Sequence, residues 1–359
     1  MSISTKIQWC DSTCNPTMGC EGCELWNGKA RKCYAGILHL RFGGVTKGYS
    51  PKFDQLTYWP GRMAAAARWS NLTGSARETK PWLNGLPRMI FVSDMSDSLS
   101  AGVPFEFLDQ EIIRNVTSPL GRKHRWLWLT KRPDRMTKFS HWLEKQHIQW
   151  PYNLWVGTSI TTRATTSRIG HLLEVGDGNT IRFVSVEPQY EPVDVTKSLS
   201  KLDWVIQGGE SGHDAHAFEI GWSFDLKDQC QEYHVPYFLK QLGTVVVENG
   251  NRLRFDDHHG GDWSEWPKEL RLREMPGQND CKPEDTNTAK TSKAELSEIA
   301  KRAWLTRRAN EAKRKRSEAA RKAWQTRRRN AQEKKRNEAA KKASKTRRGE
   351  RPTGRDTLM

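Results

Sequence analysis

The residues with the most chemical potential lie close together near the start of the chain. Five of the seven cysteines fall between Cys10 and Cys33, in Cys14-Asn-Pro-Thr-Met-Gly-Cys20-Glu-Gly-Cys23 and, after nine more residues, Cys33-Tyr34-Ala35. Thiolates two residues apart can ligate one metal centre, because the loop between them lets both sulfurs face inward. Gly19 and Gly22 would permit the tight backbone such a loop needs. Four cysteines, with Cys14 included, could close a tetrahedral zinc site. Three would leave one iron of a four-iron cluster open to a small ligand.

A second group of candidates follows short apolar runs along the chain. Ser93-Asp94-Met95-Ser96-Asp97, Thr130-Lys131-Arg132-Pro133, Gly157-Thr158-Ser159, Ser185-Val186-Glu187-Pro188 and Gln207-Gly208-Gly209-Glu210-Ser211 each come just after such a run, and Lys240-Gln241 does so once more. Asp94, Asp97, Lys131, Arg132, Glu187 and Lys240 are the catalytic candidates, as charged groups that would face a substrate. The bland alternative for any one of them is a structural salt bridge. His258 and His259 have no matching partner for a metal and read as a surface loop.

These residues converge only if the elements between them are regular. The apolar runs are Ile7–Trp9, Met89–Val92, Trp126–Leu129, Leu154–Val156, Arg182–Val184, Trp204–Ile206 and Tyr237–Leu239. Near-continuous apolar runs rich in β-branched and aromatic residues suit buried parallel strands. Helix-compatible stretches such as Phe105–Thr117 and Trp222–Tyr233 lie between them, which implies right-handed βαβ crossovers. Seven such units predict an α/β fold with a full or partial βα barrel, TIM-like rather than doubly wound. Functional residues of barrels sit just past the strand C-termini, where the charged steps fall. The barrel is expected over residues 1–243. A hairpin with an Asn249-Gly250 turn and a Trp-, His- and Gly-rich extension should fill 244–275, and 276–292 reads as a linker.

Residues 293–359 form a basic helical repeat tail. The whole formal excess of +17 lies in residues 290–359, which hold 25 Lys and Arg against 8 Asp and Glu. Ser297–Arg308 recurs as Ser317–Arg328 and Asn337–Arg348, a period of twenty residues. Each copy opens on an N-cap residue and pairs a Glu with a cation four residues on, so each reads as a short cationic helix. On one continuous helix, successive copies would be rotated by about 200°, so separate helices along an extended polyanion fit better. Trp304, Arg307, Arg308, Trp324, Arg327, Arg328, Arg347 and Arg348 are the nucleic-acid candidates, arginines for phosphates and tryptophans for bases. A solubilising tail, or one that meets an acidic protein partner, is the alternative. No stretch approaches about 18 apolar residues, so no membrane span is expected. The start of the chain lacks secretory-signal features, so a cytoplasmic protein is expected. Thiols stay reduced there, which favours metal binding over disulfides.

Taken in order, Asn15-Pro-x-x-Gly-Cys20, Cys33-Tyr34-Ala35, Phe91-Val-Ser-Asp-Met-Ser-Asp97, Leu129-Thr-Lys-Arg-Pro133, Phe183-Val-Ser-Val-Glu-Pro188, Trp204-Val-Ile-Gln-Gly-Gly-Glu-Ser-Gly212 and Asp228-Gln-Cys230 with Val235-Pro-Tyr-Phe-x-Lys-Gln241 resemble the three-Cys-motif phage protein family (Gp37/Gp68-type). That family in turn resembles radical S-adenosylmethionine barrels. The resemblance covers roughly residues 5–270 and implies that Cys20, Cys23 and Cys33 hold a [4Fe-4S] cluster. Two departures leave open which three sulfurs bind: Glu24–Lys32 is inserted before Cys33, and Cys10 and Cys14 replace residues that are usually not cysteine. The implied reaction is reductive cleavage of S-adenosylmethionine, with hydrogen abstraction by a deoxyadenosyl radical and with a reductant as partner. Gly208, Gly209, Glu210 and Ser211 resemble the segment that holds the methionine amine, although here it follows a late strand. The resulting expectation is a radical-SAM-like enzyme acting on nucleic acid or a nucleotide-linked substrate. Its rivals are a non-catalytic, zinc-stabilised nucleic-acid-binding protein and a metal-dependent hydrolase using the carboxylates at the mouth.

Overall fold

A computed structural model describes residues 1–277 and, beyond them, Thr326 alone. The chain divides into two units, Met1–Trp266 with Leu270–Glu284, and Pro267–Glu269 with Asp285–Met359. The seven strands and the candidate site belong to the first. The tail candidates Trp304, Arg307, Arg308, Trp324, Arg327, Arg328, Arg347 and Arg348 lie outside the described residues, as does most of the expected linker.

The apolar runs become a seven-stranded, fully parallel sheet. Its strands are β1 (Ser12–Cys14), β2 (Arg88–Val92), β3 (His124–Thr130), β4 (Leu154–Ile160), β5 (Arg182–Val186), β6 (Trp204–Gly208) and β7 (Tyr237–Gln241). They pair in chain order, β1 to β7, with no reversal. A doubly wound sheet would have to reverse its strand order at a switch point. The two end strands do not pair with each other, so the sheet curls into a half-barrel and stays open. Helical segments occupy the crossovers, among them α1 (Tyr34–Phe42), α2 (Pro133–Lys145) and α3 (Gly221–Glu232). The expected helix Phe105–Thr117 forms with a π-helical middle over Asp109–Ile113.

One strand is displaced from its expected place. Ile7–Trp9 makes no ladder, and the first strand is Ser12–Cys14, paired with Ile90–Val92. Trp9 is instead a core side chain, 2% exposed, with its ring centroid 4.5 Å from that of Phe91. The apolar run was read as strand because burial alone can make either. Phe91, Leu127, Trp155, Phe183, Trp204, Ile206 and Phe238 join Trp9 in one cluster. They alternate along their strands, as the inner face of a curled sheet requires. This cluster fills the half-barrel and floors the space at its C-terminal mouth. Past β7, Val246–Glu248 and Asn251–Leu253 form the expected hairpin, with Asn249 and Gly250 both at positive φ, which a two-residue type I′ turn requires. Among the described residues no helix is long and apolar enough to cross a membrane.

Candidate functional site

The cysteine segment starts where β1 ends and is tied down by its own backbone. Gly19 has φ 84°, and a Cβ there would stand 2.3 Å from the Gln55 carbonyl oxygen, so no side chain fits. Cys20 N donates to Phe53 O at 2.6 Å. Glu21 accepts from the backbone N–H groups of Ala101 (2.8 Å) and Gly102 (2.9 Å), which fastens the segment to the loop after β2. Cys23 N and Trp26 O then pair at 2.9 Å, opening the Glu24–Lys32 excursion. The excursion closes on itself: Lys32 N and Cys33 N both donate to Leu25 O, at 2.8 and 3.0 Å. The nine inserted residues therefore bring Cys33 back beside the turn they left, rather than carrying it away. Trp26 lies flat on α1, where a Cβ at Gly36 would meet its ring at 2.4 Å. Cys33 is the N-cap residue of that helix.

Cys20, Cys23 and Cys33 thereby line one cavity of about 380 Å³. Burial pushes the Cys20 and Cys23 thiols up from their ordinary range, while the nearby charges of Arg132 and Lys131 respectively work the other way. Cys14 does not line the cavity. It is fully buried at the end of β1, and burial pushes its thiol up to about 12. Cys10 is likewise wholly buried. The three cavity thiols are thus set apart from the other two by position.

The charged strand-end residues divide by what they already hold. Asp94, Asp97, Lys131, Arg132, Glu187 and Lys240 all line the cavity. Asp97, however, is a saturated acceptor. It takes Thr130 Oγ1 at 2.9 Å on both oxygens, Leu99 N at 3.0 Å, Lys131 N at 3.1 Å and Arg132 Nη1 at 3.2 Å. Arg132 passes this anchorage on to the cysteines, donating to Gly22 O at 2.8 Å with Nη1 3.9 Å from Cys20 Sγ. Asp97 and Arg132 thereby tie the loops after β2 and β3 to the cysteine segment. Asp94 accepts from Asn15 Nδ2 at 2.6 Å, its carbonyl accepts from the Tyr34 hydroxyl, and burial raises its carboxyl toward the protonated form. Glu187 and Lys240, at the ends of β5 and β7, form an ion pair across β6.

Gly208 is not a lining residue. It makes room for that pair, since a Cβ on it would stand 3.1 Å from the Glu187 carboxyl group. Gly209, Glu210 and Ser211 do line the cavity. At Gly209 a Cβ would clash with Leu242 O at 2.2 Å. Glu210 is occupied, accepting from the Tyr190 hydroxyl at 3.1 Å and His216 N at 2.8 Å, with His216 Nδ1 2.7 Å away. Tyr190 and His216 carried no signal in the sequence, because neither belongs to a strand-end motif and only the fold brings them to Glu210.

The Glu24–Arg168 clamp was also invisible. Arg168 donates through Nη1 and Nη2 to Oε1 and Oε2 of Glu24, both at 2.9 Å, and so ties the excursion to the end of β4. Burial works against the Glu24 charge, yet the Arg168 hydrogen bonds and charge outweigh it and hold the carboxyl at about 2, against an ordinary 4.5. A depressed folded value contributes stability that is complete above about 4.5 and fades as pH falls toward about 2. Glu24→Gln should therefore lower stability at pH 7 and flatten the acid limb across that window, read by urea denaturation at stepped pH. An acid limb identical to that of the parent protein would contradict the clamp.

Among the described residues, no three His, Cys, Asp or Glu side chains stand close enough together to hold one metal ion. Sulfurs around a single tetrahedral zinc must approach to about 3.8 Å of each other, given Zn–S bonds of about 2.3 Å. A cluster spreads its thiolates over separate irons and asks for wider spacing. Cys20, Cys23 and Cys33 share the lining of the cavity with Arg132 and Lys131, which sets soft donors beside two cations. No curated protein and no solved structure matches the chain. The family model described as "Protein of unknown function (DUF5131)" matches residues 4–347, reaching into the repeat tail. With nearly its whole length covered, the chain belongs to that family.

Proposed function

We propose that the chain is a radical-SAM-like iron–sulfur enzyme that abstracts hydrogen from nucleic acid or from a nucleotide-linked substrate. The observation that carries this reading is the placement of Cys20, Cys23 and Cys33 on one cavity at the C-terminal mouth of a parallel half-barrel, with Cys14 left out. The mouth of such a sheet is where barrel enzymes work. A cluster held by three thiolates supplies, when bound, an open iron and the electron that cleaves S-adenosylmethionine to methionine and a deoxyadenosyl radical.

The chain's own part is binding, orientation and exclusion of water. Cys20, Cys23 and Cys33 would hold the cluster. Arg132 would offset its negative charge and fix the loop that carries two of the thiolates. On the Gly209–Ser211 edge the Gly209 amide and carbonyl are bonded to Gln241 and the Glu210 carboxylate to Tyr190 and His216, so the methionine end would be met by Ser211. Trp9, Phe91 and Leu129 form an apolar floor, and Asp94, Lys131 and the Glu187–Lys240 pair supply polar contacts. A volume of about 380 Å³ falls within the usual range for small-molecule sites. The basic tail would bring nucleic acid to the body, and a cytoplasmic reductant would supply electrons.

The zinc-stabilised alternative needs Cys14 as a fourth ligand, and Cys14 lies outside the cavity. Anaerobic purification decides between the two. The enzyme reading expects brown protein with about four irons per chain and reductant-dependent release of deoxyadenosine. Colourless protein with one zinc and no deoxyadenosine would overturn it.

A further inference from the structure

We infer that the body itself carries the docking surface for a single nucleic-acid strand, on the segment between Leu25 and Phe53 at the rim of the cavity. This rests on the proposed class of substrate, and it places the contact outside the tail. The body through residue 289 balances its charges, yet residues 25–53 contain Lys29, Arg31, Lys32, Arg41, Lys47 and Lys52 and not one Asp or Glu. All but Lys32 are exposed, and none of the six pairs with a carboxylate among the described residues. Lys32 lines the cavity and donates to the Asp214 carbonyl.

The same segment shows an apolar face that folding leaves uncovered. On α1, Ala35, Gly36 and His39 are buried, while Tyr34, Ile37, Leu40 and Arg41 share the opposite arc. Leu40 is 65% exposed, and Val45 just beyond the helix is 85% exposed. A surface helix normally turns its apolar residues inward; this one has apolar residues on both faces. The outer face begins at Tyr34, which itself lines the cavity, so a ligand lying along α1 leads directly into the mouth. Nine helical residues run about 13 Å, room for roughly four stacked nucleotides at about 3.4 Å each. In the chain, Lys29 and Arg31 precede the strip, Arg41 lies on its helix and Lys47 and Lys52 follow it; cations combined with aromatic and aliphatic side chains are what single-strand binders use, phosphates held by charge and bases by contact. Charge complementarity and continuity with the mouth select a polyanionic substrate strand as occupant.

The test uses the full-length chain with Arg307, Arg308, Arg327, Arg328, Arg347 and Arg348 changed to Gln, so that the paired arginines of the repeats no longer contribute and the body is compared on a common background. Fluorescence anisotropy with 12-nucleotide single-stranded DNA and RNA is measured across a salt series. Adding Lys29→Glu, Arg41→Glu and Lys47→Glu should weaken binding at least about tenfold and reduce the salt slope by about 2, since each lost phosphate contact on a single strand removes about 0.7. Lys29→Arg, Arg41→Lys and Lys47→Arg should keep both. Ile37→Gln with Leu40→Gln should weaken binding while leaving the slope unchanged, which misfolding would not do. Unaltered affinity in the triple Glu variant would overturn the inference. So would loss of all binding in the six-arginine tail variant, or binding to phosphatidylserine vesicles with none to either oligonucleotide. Iron and deoxyadenosine assays on the same preparations test the enzyme reading separately, because the surface holds no cluster ligand in its varied positions.

Discussion

Under the proposed iron–sulfur function, Cys33→Ser is expected to bring anaerobically isolated protein from about four irons per chain to near background, and Cys20→Ser and Cys23→Ser should do the same. Cys14→Ser should keep the iron. The contrast follows from position, since the first three line the cavity and Cys14 is sealed at the end of β1. A serine hydroxyl in place of one of three thiolates leaves a hard, protonated oxygen where a soft anion is required. Deoxyadenosine release should vanish with the iron. Cys14→Ser carries a different cost, a buried hydroxyl among core residues worth about 1–3 kcal/mol if unpaired. It should therefore lower the unfolding midpoint while the absorption of the cluster persists. Iron, acid-labile sulfide and thermal unfolding measured on all four variants separate the two effects. Equal iron loss from Cys14→Ser and Cys33→Ser would remove the basis for a three-thiolate site.

How much of this could be read in advance varies with the kind of force involved. The parallel sheet was legible because strands buried on both faces must be apolar almost continuously, and six of the seven runs are strands where the pattern puts them. The run Ile7–Trp9 failed because burial, not pairing, makes a segment apolar, and Trp9 is buried as a plug. The insertion Glu24–Lys32 looked like a disruption of the cysteine spacing. Its closure depends on two backbone N–H groups meeting the Leu25 carbonyl, and backbone bonds leave little trace in side-chain identity. The strand-end charges were visible as a set, but their roles were not. Asp97 and Glu187 look alike in sequence, and only the folded chain shows the first filled by protein donors and the second paired to Lys240 across the mouth. Gly208 was read as a cofactor contact from its motif alone, and the room its missing side chain leaves for Glu187 is seen only in the fold.

Asp97→Ala is expected to destabilise the protein by about 3–5 kcal/mol, the cost of removing one partner of a buried, hydrogen-bonded ion pair. The lower end is the better guide, because Arg132 retains a side-chain exposure of 20% and recovers some hydration. The loss is large because one 7%-exposed carboxylate serves four residues on two loops. Its removal leaves the Thr130 hydroxyl, two backbone N–H groups and a guanidinium without their acceptor, each at a desolvation cost. At about 2–4 °C per kcal/mol for a body of this size, the unfolding midpoint should fall by roughly 10 °C. Asp97→Asn keeps an acceptor oxygen but turns an amide toward donors, so it should lie between parent and Ala. A consequence at the site follows from Arg132, which reaches from Asp97 to Gly22 O and Cys20 Sγ. Iron occupancy should drop in Asp97→Ala although no ligand is touched, and Arg132→Gln should reproduce most of that drop. The double variant should then cost less than the sum of the two singles, with a coupling of about 1–3 kcal/mol. Full stability and full iron in Asp97→Ala, with deoxyadenosine release abolished, would instead make Asp97 a catalytic residue, and the anchoring role argued from its five hydrogen bonds would be wrong.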